Sequence, residues 1–260
     1  MEELLRSSAV AVIVAGAFLL EGITGFGSTV IALPFVAMLL GIKVAVPLLC
    51  LLGLPMALFI VLRSRRSIRW REFLFIAFYA GIGIPFGIFL FDRMAPEALS
   101  LLLAAVMIGV GVHGSRSTPK ASRQAAECSG ARRTPMMRLL LFAGGVIHGS
   151  LGTGGPFVVI YASKALPEKS LFRVTLSLLW LTLNSVRIGD WLVRDRSLLT
   201  PELWRIVLIS LPFMAIGTLA GDRLHRRVDE LRFRRIVYAT LAAAGMVMAG
   251  NSLAALSGFH

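Results

Sequence analysis

The 260-residue chain is 57% hydrophobic and only 16% charged, with a mean hydropathy of +0.79. That balance excludes a soluble domain of this length and indicates an integral membrane protein. A net charge of +13 raises nucleic acid as a partner, but the basic residues lie in short loops at the ends of apolar runs, so they report orientation in a lipid bilayer and no nucleic acid is expected.

Taken in chain order, the N-terminus carries Glu2, Glu3 and Arg6 ahead of an apolar run, without a strongly basic start or a small-residue cleavage site. It reads as retained rather than as a signal peptide. Residues 7 to 40 would measure about 51 Å as one helix, against a hydrocarbon core of about 30 Å. The stretch is interrupted at Glu21-Gly-Ile-Thr-Gly-Phe-Gly-Ser28, which predicts two half-length helices, arranged either as a hairpin or as one long broken crossing. Apolar spans follow at about 44 to 62, 73 to 91 and 96 to 112. Residues 113 to 136, rich in Ser and Arg, read as a cytoplasmic linker. A second interruption, His148-Gly-Ser-Leu-Gly-Thr-Gly-Gly155, precedes spans at about 171 to 193, 203 to 220 and 236 to 256. Runs such as Leu101 to Val110 are apolar on every face, so the expected class is all-α and polytopic, not a barrel. Cys50 and Cys128 give no framework for a disulfide or a metal, and no cofactor is expected.

The two interruptions are in register. At an offset of 127 residues, Gly22 falls on Gly149, Gly25 on Gly152 and Gly27 on Gly154. At an offset of 130, Arg66-Ser67 matches Arg196-Ser197, Glu72 matches Glu202, Gly87 matches Gly217, and Asp92-Arg93 matches Asp222-Arg223. The chain therefore reads as a duplication, with a first repeat at 1–112 and a second at 137–260. If each interrupted segment returns to its starting side, each half adds three further crossings and the second half is inverted. One face then receives 20 of the 27 basic residues, in clusters at 63 to 71, 116 to 138, 164 to 173 and 223 to 235. The positive-inside rule places that face in the cytoplasm of an inner membrane, with both termini outside. A simple crossing divides the loop charges only 15 to 11.

Matched interruptions in two halves of a hydrophobic chain point to a transporter's binding site, because they expose backbone groups and helix ends within the bilayer. Gly25, Phe26, Gly27 and Ser28 in the first, and Gly152, Thr153, Gly154 and Gly155 in the second, are the candidate substrate contacts. Thr29 and Ser150 add hydroxyls. A half-helix starting after each break turns free N–H groups and its positive dipole end toward the gap, which suits an anion without any cationic side chain. The alternative is that small residues only let helices approach closely. Arg187 is the costliest residue in the spans, about one turn from Asn184, with Trp180 and Trp191 on the same stripe. An Arg fork beside an amide suits a small oxyanion, while an ion pair with Asp190 or a snorkelling side chain would serve structure alone. Glu21 and His148 occupy the same repeat position on the shoulders of the breaks. Each is a candidate for proton coupling or, alternatively, a cap on its broken helix. Pro85 and Pro212, each in the third crossing region of its half, are candidate kinks.

The paired segments GITGFGSTVIALPFVAML and GSLGTGGPFVVIYASKAL, the central loop, the basic loop after the second helix, and the pair Asn184 and Arg187 resemble the TauE/SafE family of membrane proteins. The resemblance covers nearly the whole chain. It implies a helical permease built from two related halves that moves small sulfur-containing anions such as sulfite or organosulfonates. An anion channel is the alternative. An intramembrane enzyme would need a nucleophile with its base, paired carboxylates or a cluster of metal ligands. The spans offer little beyond Glu21, His148, Arg187 and Asp190, so no catalytic residue is expected.

Overall fold

A computed structural model describes residues 2–24, 27–116, 134–166, 168–224, 242, 245–250 and 252–254. The elements are α1 (Glu2–Thr24), α2 (Ser28–Leu40), α3 (Ile42–Ser64), α4 (Trp70–Arg93), α5 (Pro96–Arg116), α6 (Pro135–Leu151), α7 (Gly155–Ala165), α8 (Lys169–Arg194) and α9 (Pro201–Leu224). Single 3-10 turns, Arg65–Ser67 and Arg196–Leu198, connect α3 to α4 and α8 to α9 at matching places in the two halves. No strand occurs among the described residues. Helices spanning Ile42–Ser67, Trp70–Arg93, Ser170–Arg194 and Pro201–Leu224 are long and apolar enough to cross a membrane, and Ser28–Leu40, Pro96–Gly109 and Pro135–Leu151 are shorter apolar helices. Helix α5 and helix α6 take in the two ends of the expected linker; the rest of it, and most of the expected span at 236 to 256, lie outside the described residues.

The breaks fall where the glycines predict, with α1 ending at Thr24 and α2 starting at Ser28, then α6 ending at Leu151 and α7 starting at Gly155. The lengths differ from the expectation. With 23 residues, α1 is about 35 Å long at 1.5 Å per residue, as long as a full crossing rather than half of one. Only α2, with 13 residues, and α7, with 11, are half-length. The choice between hairpin and broken crossing is decided at the second break by Gly144. A Cβ there would sit 3.2 Å from Phe157 Cβ, so a residue two turns before the break touches one just after it. A straight crossing would hold those positions far apart; the chain folds back. Helix α2 likewise packs on α1 as well as on α3.

The two halves clasp each other reciprocally. Helix α1 packs along α9 of the second half, α6 packs along α4 of the first, and α3 and α8 meet between them. Within lipid no hydrophobic driving force separates one helix pairing from another, so close backbone approach through small residues matters more. Both long contacts are built that way. A Cβ on Gly22 would lie 2.9 Å from Gly221 Cα, and one on Gly149 would lie 3.0 Å from Gly87 Cα. The outer faces are apolar: Leu74, Phe78, Ile82, Phe86 and Phe89 form a stripe along α4 that stays exposed, the face a bilayer would cover. Pro85 and Pro212 sit inside α4 and α9, each of which continues through its proline.

Candidate functional site

Both breaks open onto one cavity of about 40 Å³. Glu21, Gly27, Ser28 and Thr29 reach it from the first break, and His148, Gly152, Thr153 and Gly155 from the second. Ser177, Trp180 and Asn184 of α8, with Gly53 and Ala57 of α3, close the remaining walls. On a scale where one water needs about 10–15 Å³, the space holds a few waters or one small oxyanion.

The irregular backbone is made by different glycines in the two halves. Gly27, at φ 102°, leads into α2, whereas Gly152, at φ 65°, ends α6 by donating its N–H to His148 O at 2.8 Å. L-residues with a side chain rarely adopt such angles, which accounts for glycine at both places. Gly25, which falls on Gly152 at the 127-residue offset, lies with Phe26 outside the described residues.

The two shoulder residues do equivalent work. Glu21 Oε2 accepts the Ser28 N–H at 3.1 Å, and His148 Nδ1 accepts the Gly154 N–H at 3.4 Å. Because Nδ1 is the acceptor, the His148 proton resides on Nε2, which donates to Asn184 Oδ1 at 3.1 Å. The ring stacks on Trp180, with centroids 5.5 Å apart and planes 16° from parallel. Asn184 is thereby oriented with its carbonyl toward His148, and its Nδ2 lies 3.0 Å from where a Gly53 Cβ would be. The sequence placed Trp180 on the right stripe but gave no sign of this stacking, since the partner lies on another helix.

Thr153 differs from its neighbours. It is 3% exposed, and its Oγ1 has no hydrogen-bond partner among the described residues. An unpaired buried hydroxyl costs free energy unless something else meets it. Ser150, by contrast, turns its hydroxyl back to Val146 O and Ile147 O and takes no place on the cavity wall. Gly154 stands just behind the wall, close to Gly144 and His148.

Arg187 is fully buried yet is not among the cavity-lining residues. Its guanidinium lies 4.4 Å from the Trp191 ring centroid and 5.1 Å from that of Phe91, and Nη1 donates to Asp190 Oδ2 at 3.4 Å. The Asp190 pairing is the one the sequence offered as the structural alternative. Even so, Arg187 Nε and Nη2 and the neighbouring Trp191 Nε1 are buried donors without partners among the described residues. Lys43 approaches the same Phe91, donating to its carbonyl and lying 4.1 Å from its ring centroid. Cys50 is within electrostatic reach of Arg187 and also lies against the cavity, its Sγ 2.8 Å from where a Gly152 Cβ would be. At the opposite end of α8, Arg173 Nη1 pairs with Asp222 Oδ1 at 2.6 Å. Among the described residues no group of three or more His, Cys, Asp or Glu could hold a metal ion.

Comparison with known proteins adds three findings. A family model described as "Sulfite exporter TauE/SafE" matches residues 9–248. A protein of Comamonas testosteroni described as "Probable inner membrane transporter protein TsaS" is 24% identical over 184 residues, covering 70% of this chain and 72% of its own. No solved structure matches.

Proposed function

Since the chain belongs to the TauE/SafE sulfite exporter family and is a multi-pass membrane transporter by that membership, we propose that it carries small sulfur-containing oxyanions, sulfite or organosulfonates, through the cavity where its two breaks meet. The observation that carries this reading is the buried Thr153 hydroxyl, unpartnered among the described residues, on a wall that also holds the starts of α2 and α7. Two helix N-termini supply backbone donors and positive dipole ends. The Asn184 amide adds a side-chain contact. Oxyanions need several donors arranged around them, and this cavity offers donors from three directions.

Arg187 serves the anion one step later. Its free Nε and Nη2, with Trp191 Nε1, lie beyond Asn184 on the same helix, and we place there the group that receives the anion as it leaves the cavity. The reciprocal clasp of α1 with α9 and α6 with α4 supports two inverted repeats joined through 113–136, with the basic loops cytoplasmic and both termini outside. The small volume of the cavity favours a carrier over an open channel.

The test is counterflow in proteoliposomes containing the full-length protein. With the membrane potential clamped at zero by valinomycin and equal K+ on both sides, liposomes loaded with unlabelled sulfite or methanesulfonate take up the labelled anion faster if the protein is a carrier, whereas a channel shows no such acceleration. Absence of flux for sulfite, sulfate and sulfonates alike contradicts the reading.

A further inference from the structure

Among the described residues that line the cavity, one side chain is formally an anion. Glu21 is 9% exposed, stands on the cavity wall, and holds the Ser28 N–H at the start of α2. A carboxylate in that place occupies a donor that a bound oxyanion would use. It also confronts that oxyanion with a like charge. Among the described residues no Lys or Arg is on the wall to offset the pair.

We propose that Glu21 is the proton site of the transport cycle, a tethered anion that must take up one proton before a substrate anion can enter, so that anion and proton bind and move together. This rests on the reading of the cavity as the anion site. Protonation, with the proton drawn from water on the side to which the cavity opens, removes the like charge and leaves Ser28 N–H free to turn to the substrate. Two unit charges about 5 Å apart at an effective dielectric near 20 repel enough to weaken anion binding on the order of a hundredfold. Linkage is reciprocal, so each ligand tightens the other by the same factor. A monovalent anion then crosses with no net charge.

The other groups facing Glu21 do not take this role. His148, its repeat mate across the cavity, has both ring nitrogens engaged, one accepting from Gly154 and one donating to Asn184. Arg173 of α8 lies within electrostatic reach of Glu21, but it is paired with Asp222 of α9, whose backbone nitrogen lies against Gly22. Helix α2 carries no titratable residue. Among the described residues Glu21 is therefore the one group on the wall whose charge opposes the substrate and whose neutralisation opens a donor.

The test uses the full-length protein in lipid nanodiscs with methanesulfonate and sulfate, whose own charges do not change between pH 5.5 and 8. Titration calorimetry gives the affinity at each pH, and repetition in buffers of different ionisation enthalpy counts protons taken up on binding. The proposal expects wild-type affinity to fall by up to tenfold per pH unit as pH rises, with close to one proton taken up per anion. Glu21→Gln is expected to bind with no pH dependence and, at pH 8, at least tenfold more tightly than wild type, while His148→Gln keeps the wild-type slope. PH-independent wild-type binding without proton uptake overturns the proton site and leaves the anion site standing, as does a Glu21→Gln variant that retains the slope. If Glu21→Gln does not fold, the proton count on the wild type decides alone. No binding of either anion at any pH overturns the anion site and this inference with it.

Discussion

Glu21 and His148, set 127 residues apart, each turn back across their own chain break to accept a backbone N–H at the start of the next helix, from Ser28 at 3.1 Å and from Gly154 at 3.4 Å. The position and the bond are the same at both breaks while the chemistry differs, an acid on one side and an imidazole on the other. A symmetric frame thus holds an asymmetric cavity, and the asymmetry is where proton and anion are expected to meet.

Replacing Thr153 by Val removes the unpartnered hydroxyl at nearly constant volume. A hydrogen bond to a charged group is worth about 1.5–3 kcal/mol, so anion affinity is expected to fall by about tenfold or more. Thermal stability should hold or rise, because Oγ1 has no partner among the described residues to lose. Binding isotherms and melting curves on the same preparation check both halves; unchanged affinity would remove Thr153 from the site.

Gly22→Ala tests the crossing of α1 and α9. The added Cβ would lie 2.8 Å from Thr218 O and 2.9 Å from Gly221 Cα, both backbone atoms that cannot swing aside. A loss of about 1–3 kcal/mol is expected from such overpacking. Gly16→Ala, on the same helix with nothing within 4 Å of its Cβ, should be neutral or stabilising by up to about 1 kcal/mol. Melting temperatures that fall equally in the two variants would show that the contact is not what holds the helices together.

Arg187→Lys keeps a positive charge but loses the fork that carries Nε and Nη2. Because Arg187 is off the cavity wall, the anion's affinity should change less than about threefold, while the transport rate falls at least tenfold. Measuring affinity and counterflow rate separately makes the distinction. A large affinity loss with an unchanged rate would instead place Arg187 in direct contact with the resting anion.

Inversion of the halves predicts that repeat mates face opposite sides. Ser67 and Ser197 sit in the matching 3-10 turns Arg65–Ser67 and near the end of α8 in Arg196–Leu198. In a background of Cys50→Ala and Cys128→Ala, a membrane-impermeant maleimide should reach Ser67→Cys only from the cytoplasmic side and Ser197→Cys only from outside. Labelling of both from one side would contradict the topology.

Much of this was legible in the sequence because the governing constraints are one-dimensional. Length and apolarity marked α3, α4, α8 and α9, and three glycines in register at a fixed offset located both breaks. That the two breaks, with Glu21, Ser28, His148 and Thr153, meet at one space was expected from an inverted duplication, whereas Asn184 was singled out as a polar residue beside Arg187 in an apolar span; all five line the same cavity. What stayed hidden depends on contacts between distant segments. Trp180 stacks on a ring 32 residues away, and Cys50 lies against Gly152 of the second break while also within electrostatic reach of Arg187, relationships that no spacing rule encodes. Arg187 was singled out for its cost in the membrane, yet cost alone does not say which way a side chain turns; the aromatic rings of Phe91 and Trp191 hold it away from the cavity wall. The length of α1 was misjudged because the sequence shows where a helix breaks more clearly than how far it extends beyond the hydrocarbon.

The central claim is that the substrate anion rests between the two breaks. Crystals of the full-length protein grown with selenite, a sulfite analogue with a strong anomalous signal, test it most directly. The account predicts a selenium peak within hydrogen-bonding contact of Thr153 Oγ1 and the Ser28 N–H. Selenite that inhibits sulfite uptake but gives no peak in this cavity, or one only at the Arg173 end of α8, would contradict it.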